Sequence, residues 1–264
     1  LGGLRQRALH RNGFAVIQPD AAAWFTERGA FGAWFSEPPN KELERQQTMS
    51  LDLSLLPEID CGHMFFNVGS QLLNPITALS RTVERIENAT KFAWFAATDS
   101  ESLHCHEAQE PTLREGFLRA SLTEFVSIED ILNLDLKQAG LSAKPFKLND
   151  SRKPHLHLIR ELRNLEVHLF HHKLSVSQKE RLWGSRSQPE SAKPFTTDVW
   201  CWDGVTIQAF SRLRNARNYS DVEIAEMVEW FNRSQKEWGV AEIILKVIKD
   251  YCRELATTYY GRAF

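Results

Sequence analysis

The sequence predicts an all-α fold: an antiparallel bundle of four to five helices, with an aromatic-rich N-terminal extension and a small β-hairpin. Three observations predict it. Apolar residues recur at intervals of three and four along separate long stretches, the period of one helix face. Helix starts are marked locally, by an Asn-Pro pair and by two capping boxes. Strand signals are confined to short runs near Phe14 and Val199.

Composition narrows the class. The chain has 264 residues, 42% of them hydrophobic and 25% charged, so it can bury a core without metal or disulfide support. A net charge of −2 leaves no global basic field, so any nucleic-acid site is expected to be a local patch. Cys61, Cys105, Cys201 and Cys252 are scattered and form no Cys-x-x-Cys pair, which suits reduced thiols and a cytoplasmic location. No apolar run reaches the roughly 18 residues of a membrane span, and no signal-peptide pattern is present. The chain starts at Leu1, so the natural N-terminus is expected to be trimmed or to lie further upstream.

Residues 1–60 read as an extension. Phe14 to Ile17 suits a short strand, and Asp20 can cap a short helix through Arg28. Trp24, Phe25, Phe31, Trp34 and Phe35 make the segment too aromatic for a disordered arm, so it is expected to dock on the body formed by residues 61–264. The first long helix follows Asn74-Pro75, with Leu72, Ile76, Leu79, Val83 and Ile86 on one seam. Phe92, Trp94 and Phe95 extend that apolar region.

A polar connection over 98–111 contains His104 and His106. The capping box Thr112 to Glu115 then predicts a second helix, with Leu118, Leu122, Phe125, Ile128 and Leu132 inward and Gly140 as its stop. A third helix, from about His155 to Lys173, is expected to be central, with the others packed around it. Residues 174–198 read as an irregular loop. Val199 to Trp202, the turn Asp203-Gly204, and Val205 to Ile207 read as a hairpin; the alternative is a helix capped by Asp203 and running to Arg217. The capping box Ser220 to Glu223 opens the last helical stretch, which continues to Tyr251 and is bent or split at Gly239.

The third helix carries the chemistry. It holds five of the nine histidines. Projected at about 100° per residue, Leu158, Leu162, Leu165 and Leu169 fall within about 60°, and His157, Glu161, Asn164, His168 and His171 within about 80° on another side. Arg163 lies about 140° from His168. Arg163-Asn164, followed after three residues by His168, on the third main helix of such a bundle, resembles the HEPN (higher eukaryotes and prokaryotes nucleotide-binding) superfamily. That family's motif is an arginine, four to six residues, then a histidine, with a polar residue often following the arginine.

The resemblance implies a homodimer whose two motifs face one cleft, and metal-independent RNA cleavage of the toxin or phage-defence type. In that reading His168 is the general acid/base, Arg163 stabilises transition-state charge and Asn164 positions. Glu161, His157, His171 and Arg160 are candidate substrate-binding residues beside them. The resemblance also implies a second role: a catalytically silent helical module for dimerisation and for binding a protein or nucleotide.

Metal chemistry is the lesser alternative. His168 with His171 or His172 has ligand spacing, and His104 and His106 add imidazoles, but the His-Glu-x-x-His order is absent. No metal or cofactor is therefore expected. Arg181, Arg186, Arg212, Arg214 and Arg217 alternate with Trp183, Trp200, Trp202 and Tyr219. Such interleaving can stack bases and hold phosphates; the reading preferred here places the tryptophans in the core and the arginines in solvent. No glycine-rich phosphate loop, hydrolase elbow or zinc-finger spacing is present.

Overall fold

In the computed structural model the chain divides into two units, Leu1–Gln46 and Gln47–Phe264. The structure describes residues 50–59, 77–97, 110–140, 144–169, 173–183 and 193–260, all in the second unit. The strand, helix and aromatic cluster expected within residues 1–49 lie outside them, as do the Asn74-Pro75 helix start and the His104–His106 connection.

The second unit is mostly helical, with one small antiparallel sheet. Its described α-helices are α1 (Ser80–Ala97), α2 (Glu110–Gln138), α3 (Pro154–Leu169), α4 (Ile207–Ser211), α5 (Asp221–Trp238) and α6 (Val240–Tyr260). Among the described residues no helix is long and apolar enough to cross a membrane.

α1 and α2 form an antiparallel pair. Leu79, Ile86, Ala89, Ala93 and Ala96 are buried at intervals that keep one face of α1 inward, and the three alanines let α2 approach closely. The facing seam on α2 is Leu118, Leu122, Phe125, Ile128, Leu132 and Leu136. Polar bonds fix the register from end to end. Asp135 of α2 accepts from Thr82 N and Thr82 Oγ1, both at 2.8 Å, and so caps the start of α1. Ser121 Oγ donates to Ala89 O at 2.7 Å, and Arg114 Nη1 to Ala96 O at 2.5 Å.

α2 already includes Glu110 and Pro111, so the Thr112 capping box does not begin it. Proline is tolerated in a first turn, where its missing N–H has no intrahelical acceptor. The helix stops as read: Gly140 takes φ 68° and its N–H donates to Lys137 O at 3.1 Å.

The described parts of residues 174–198, 174–183 and 193–198, are strand rather than loop. Leu174–Trp183 and Lys193–Trp202 form strands β1 and β2, paired antiparallel over ten residues from Leu174↔Trp202 to Trp183↔Lys193. The expected hairpin around Asp203-Gly204 is therefore displaced: Val199 to Trp202 pairs backward with Leu174 to Ser177. The reason is tertiary. β1 exposes Val176 and carries a polar run, so it shows little apolar alternation. The ribbon is held by β2, whose Val199, Cys201 and Trp202 are buried and which packs on α5 and α6. Gln235 of α5 completes the edge: its side-chain amide accepts from Trp202 N at 2.9 Å and donates to Trp202 O at 3.0 Å, as a neighbouring strand would. Nor does Asp203 cap a long helix. Thr206 caps the short α4, and a 3-10 turn, Arg214–Asn218, follows.

The Ser220 to Glu223 capping box is formed in both directions and starts α5. Glu223 also accepts from Leu51 N at 2.8 Å, and Trp230 Nε1 donates to Pro57 O at 2.8 Å. Residues 50–59 are thus tied to α5, with Leu51 and Ile59 in the core. Gly239 separates α5 from α6 at φ 92°, and a Cβ there would stand 3.4 Å from Trp200 O. α3 and α6 share the centre of the unit: α3 packs against α2, α4, α5 and α6, and α6 against α1, α2, α3 and α5, burying Val240, Ile243, Ile244, Val247, Ile248, Tyr251, Leu255 and Tyr259.

Candidate functional site

α3 begins with Pro154 at its first position and is enclosed on several sides; residues 154 to 159 are all buried. The leucine seam faces the core, with Leu158, Leu162 and Leu165 buried. On its other side His157 and Glu161 are also buried, and they build the first cluster.

Glu161 is its centre, with no exposed surface. Burying a carboxylate is costly unless its oxygens are paired. Here Arg160 donates to Oε1 through Nε at 3.0 Å and Nη2 at 2.9 Å. Asn164 Nδ2 donates to Oε2 at 2.9 Å. Asn215 Nδ2, from the 3-10 turn after α4, reaches both oxygens at 3.2 and 3.3 Å. Arg160 itself continues outward, donating to Asn149 Oδ1 and, at 3.0 Å, to the Tyr219 hydroxyl. Burial works against the Arg160 charge, but Tyr219 and Glu161 more than offset it.

His157 completes the cluster. Its Nε2 lies 2.8 Å from Ser151 O, a carbonyl that can only accept, so the proton sits on Nε2 and Nδ1 is an acceptor. Nδ1 then stands 3.3 Å from the Tyr219 hydroxyl, which also approaches Glu161 Oε1 at 3.4 Å. One hydroxyl proton serves those two acceptors while Arg160 donates to the oxygen. Burial holds His157 below the usual imidazole range and pushes Tyr219 well above the usual phenol range, the Glu161 charge adding to the latter.

A second cluster lies on the α6 side of α3. Asp250 accepts from Lys246 Nζ at 2.8 Å through both oxygens and from Arg253 Nη1 at 2.9 Å. His155 Nε2 is 3.2 Å from Asp250 Oδ2 but off the line of a good hydrogen bond. Burial holds His155 below the usual imidazole range, against the pull of Asp250. Burial also opposes the Asp250 charge, yet His155 and Lys246 outweigh it and hold the carboxyl far below the usual range.

The sequence motif stands beside these clusters. Asn164 joins the first through Glu161. Arg163 is half-buried; its Nε is enclosed and has no hydrogen-bond partner among the described residues. Neither acid near it in sequence is its partner, since Glu161 is bound to Arg160 and Glu166 to Arg119 of α2. His168 lies in the last turn of α3, four residues from Asn164. Its side chain and the whole of His171 fall outside the described residues. The structure thus brings Arg160, Glu161, Asn164 and His157 together, and leaves Arg163 apart from them.

Tyr219, Asn215 and Asn149 are cluster members that sequence reasoning missed. The run Asn215-Ala216-Arg217-Asn218-Tyr219 was read for its arginines and its aromatic ring, and only the packing of the 3-10 turn on α3 reveals the amide and hydroxyl as internal donors. The aromatic platform is not built from the described rings: Trp202 is core, Arg114 covers Trp200 at 4.7 Å, and Tyr219 faces Glu161. Among the described residues no group of three or more His, Cys, Asp or Glu side chains is placed to hold a metal ion. No family model, curated protein or solved structure matches the chain.

Proposed function

We propose that this chain is a HEPN-like, metal-independent endoribonuclease that works as a homodimer through α3. The observation that carries the reading is Arg163. Arg119 of α2 and Arg160 of α3 are engaged by internal acids, whereas the Arg163 Nε has no partner among the described residues. Arg163 has no ion pair among the described residues, and its terminal guanidinium nitrogens, unlike Nε, are not enclosed and can meet a phosphate.

His168 removes the proton of a ribose 2′-hydroxyl, and the 2′-oxygen attacks the adjacent phosphorus. The bond to the 5′-oxygen breaks, and that oxygen takes a proton. The products are a 2′,3′-cyclic phosphate and a 5′-hydroxyl. Arg163 neutralises charge on the phosphoryl oxygens as it builds. Because Arg163 and His168 diverge by about 140° on one helix, the arginine and the histidine at one phosphate come from different copies.

Cleavage of total RNA in EDTA tests this. His168→Ala and Arg163→Ala are each expected to lose roughly 10²-fold or more in rate. A mixture of the two inactive variants should recover activity, since a mixed dimer has one complete site. No cleavage by the wild type, or none by the mixture, sinks the two-copy ribonuclease. Abolition by EDTA redirects the chemistry to a metal.

A second reading, a catalytically silent module for dimerisation and partner binding, is favoured by one contact. Asn164 donates to Glu161 and so serves the fold itself. That reading expects an intact dimer, no cleavage, and a folding defect in Asn164→Ala.

A further inference from the structure

The most concentrated uncommitted charge among the described residues lies between α4 and α5. Arg212, Arg214 and Arg217 are all exposed, and none makes an ion pair or a side-chain hydrogen bond among the described residues. Asp221, four residues beyond Arg217, does not pair with it. Elsewhere arginines find acids readily, as Arg85 does Glu124 and Arg119 does Glu166. Three like charges within six residues repel one another, and no described residue pairs with them.

The segment that carries them is held firmly. Phe210, Leu213 and Ala216 point inward and are buried. Backbone N–H groups of Leu213, Ala216 and Tyr219 each donate three residues back, at 3.0 Å. Asn215 and Tyr219 clasp Glu161 from the same turn. In a 3-10 turn residues i and i+3 eclipse, so Arg214 and Arg217 stand on one edge about 6 Å apart. Anchored cations lose less freedom on binding than cations on a loose tail.

We infer that residues 212–217 form a rail for the phosphate backbone of a single RNA strand. The outward side chains, Arg212, Arg214, Arg217 and Asn218, offer mainly hydrogen-bond donors, which suits phosphate oxygens. The apolar side chains of the segment, Leu213 and Ala216, face inward and offer an acidic peptide nothing to pack on between the charges. The rail also adjoins the motif: Asn215 and Asn164 donate to the same carboxylate, Glu161. The inference deepens the ribonuclease reading and rests on it for the choice of RNA over another polyanion.

Fluorescence anisotropy with a labelled, mixed-sequence single-stranded RNA tests it, in a His168→Ala background so that cleavage does not enter. Replacing all three arginines by glutamine is expected to weaken binding about tenfold or more at physiological salt. The slope of log affinity against log salt should fall by about 2, from roughly 0.7 per lost phosphate contact. The triple lysine variant should keep most of that slope. Binding that is absent, or unchanged by the glutamines, overturns the rail. So does displacement of the RNA by poly-glutamate as readily as by unlabelled RNA, which would make the partner an acidic protein. Binding lost in the glutamine variant, beside a wild type that never cleaves RNA, supports the rail and removes only the nuclease.

Discussion

Asp250 and Glu161 are both buried carboxylates beside α3, yet their partners come from very different distances along the chain. The cations of Asp250, Lys246 and Arg253, lie one turn to either side on its own helix, and α3 adds only His155. The partners of Glu161 come from α3 and from a turn more than fifty residues on, through Asn215 and Tyr219. The first set largely balances charge within α6. The second exists only when α3 and the turn before α5 are docked, so it fastens two parts of the fold. Similar groups therefore do different work, and substitution can separate the two roles.

The largest effect is expected at Glu161. Glu161→Ala strands Arg160 and the amides of Asn164 and Asn215, and should cost about 3–5 kcal/mol in urea denaturation. Adding Arg160→Met should not restore it, because Asn164 and Asn215 remain unmet while Tyr219 turns to His157. Recovery in that double variant would show that Glu161 is only half of an ion pair, and the contrast with Asp250 would collapse. Asp250→Ala should cost somewhat less, about 3 kcal/mol, since half-exposed Arg253 can turn to solvent. Here Lys246→Met should bring back most of the loss, as an apolar pair can replace a buried ionic one. Failure of that rescue would make the α6 cluster a tertiary fastener as well.

The smallest effect follows from pH. Burial depresses the folded pKa of His155 and of His157, while both unfold to the ordinary value near 6.5. Below that value the unfolded chain binds more protons than the folded one, so stability falls as pH drops from about 6.5 toward the folded values. The slope is at most about 1.4 kcal/mol per pH unit for each histidine. Asp250 is also depressed; its contribution is present above about 3.9 and is lost only at lower pH, outside that window. His157→Gln should flatten the dependence without abolishing it, as thermal melts between pH 5 and 7 (about the histidine range) would show. An unchanged slope would leave the whole effect with His155.

Much of this fold was legible in the chain. The seams through Leu79 and Ile86, Leu118 to Leu132, and Leu158 to Leu165 each bury the side that their spacing implies, because helix periodicity is a local property. So is the capping of Ser220 by Glu223. The ribbon escaped because β1 meets its partner across an interruption and carries mostly polar residues; its reason to be a strand is β2, seated on α5 and α6. The candidate site was half legible. Projection gathered His157, Glu161 and Asn164 on one face, as the structure does. It could not show that the face is covered, since Asn215 and Tyr219 arrive from beyond the ribbon. It also could not show that Arg163 lacks an acid, because Glu166 looks like its natural partner until Arg119 of α2 claims it.

The ties from residues 50–59 to α5 have a kinetic meaning. Leu51 bonds Glu223 across 172 positions, and Pro57 bonds Trp230 across 173. A polypeptide made from its N-terminus therefore emerges with Leu51 and Ile59 bare, and they wait until α5 has been synthesised. Contacts of such long sequence separation form slowly. These ties thus close only after α5 has been made, and until then the nascent protein shows an apolar stretch that a chaperone can hold.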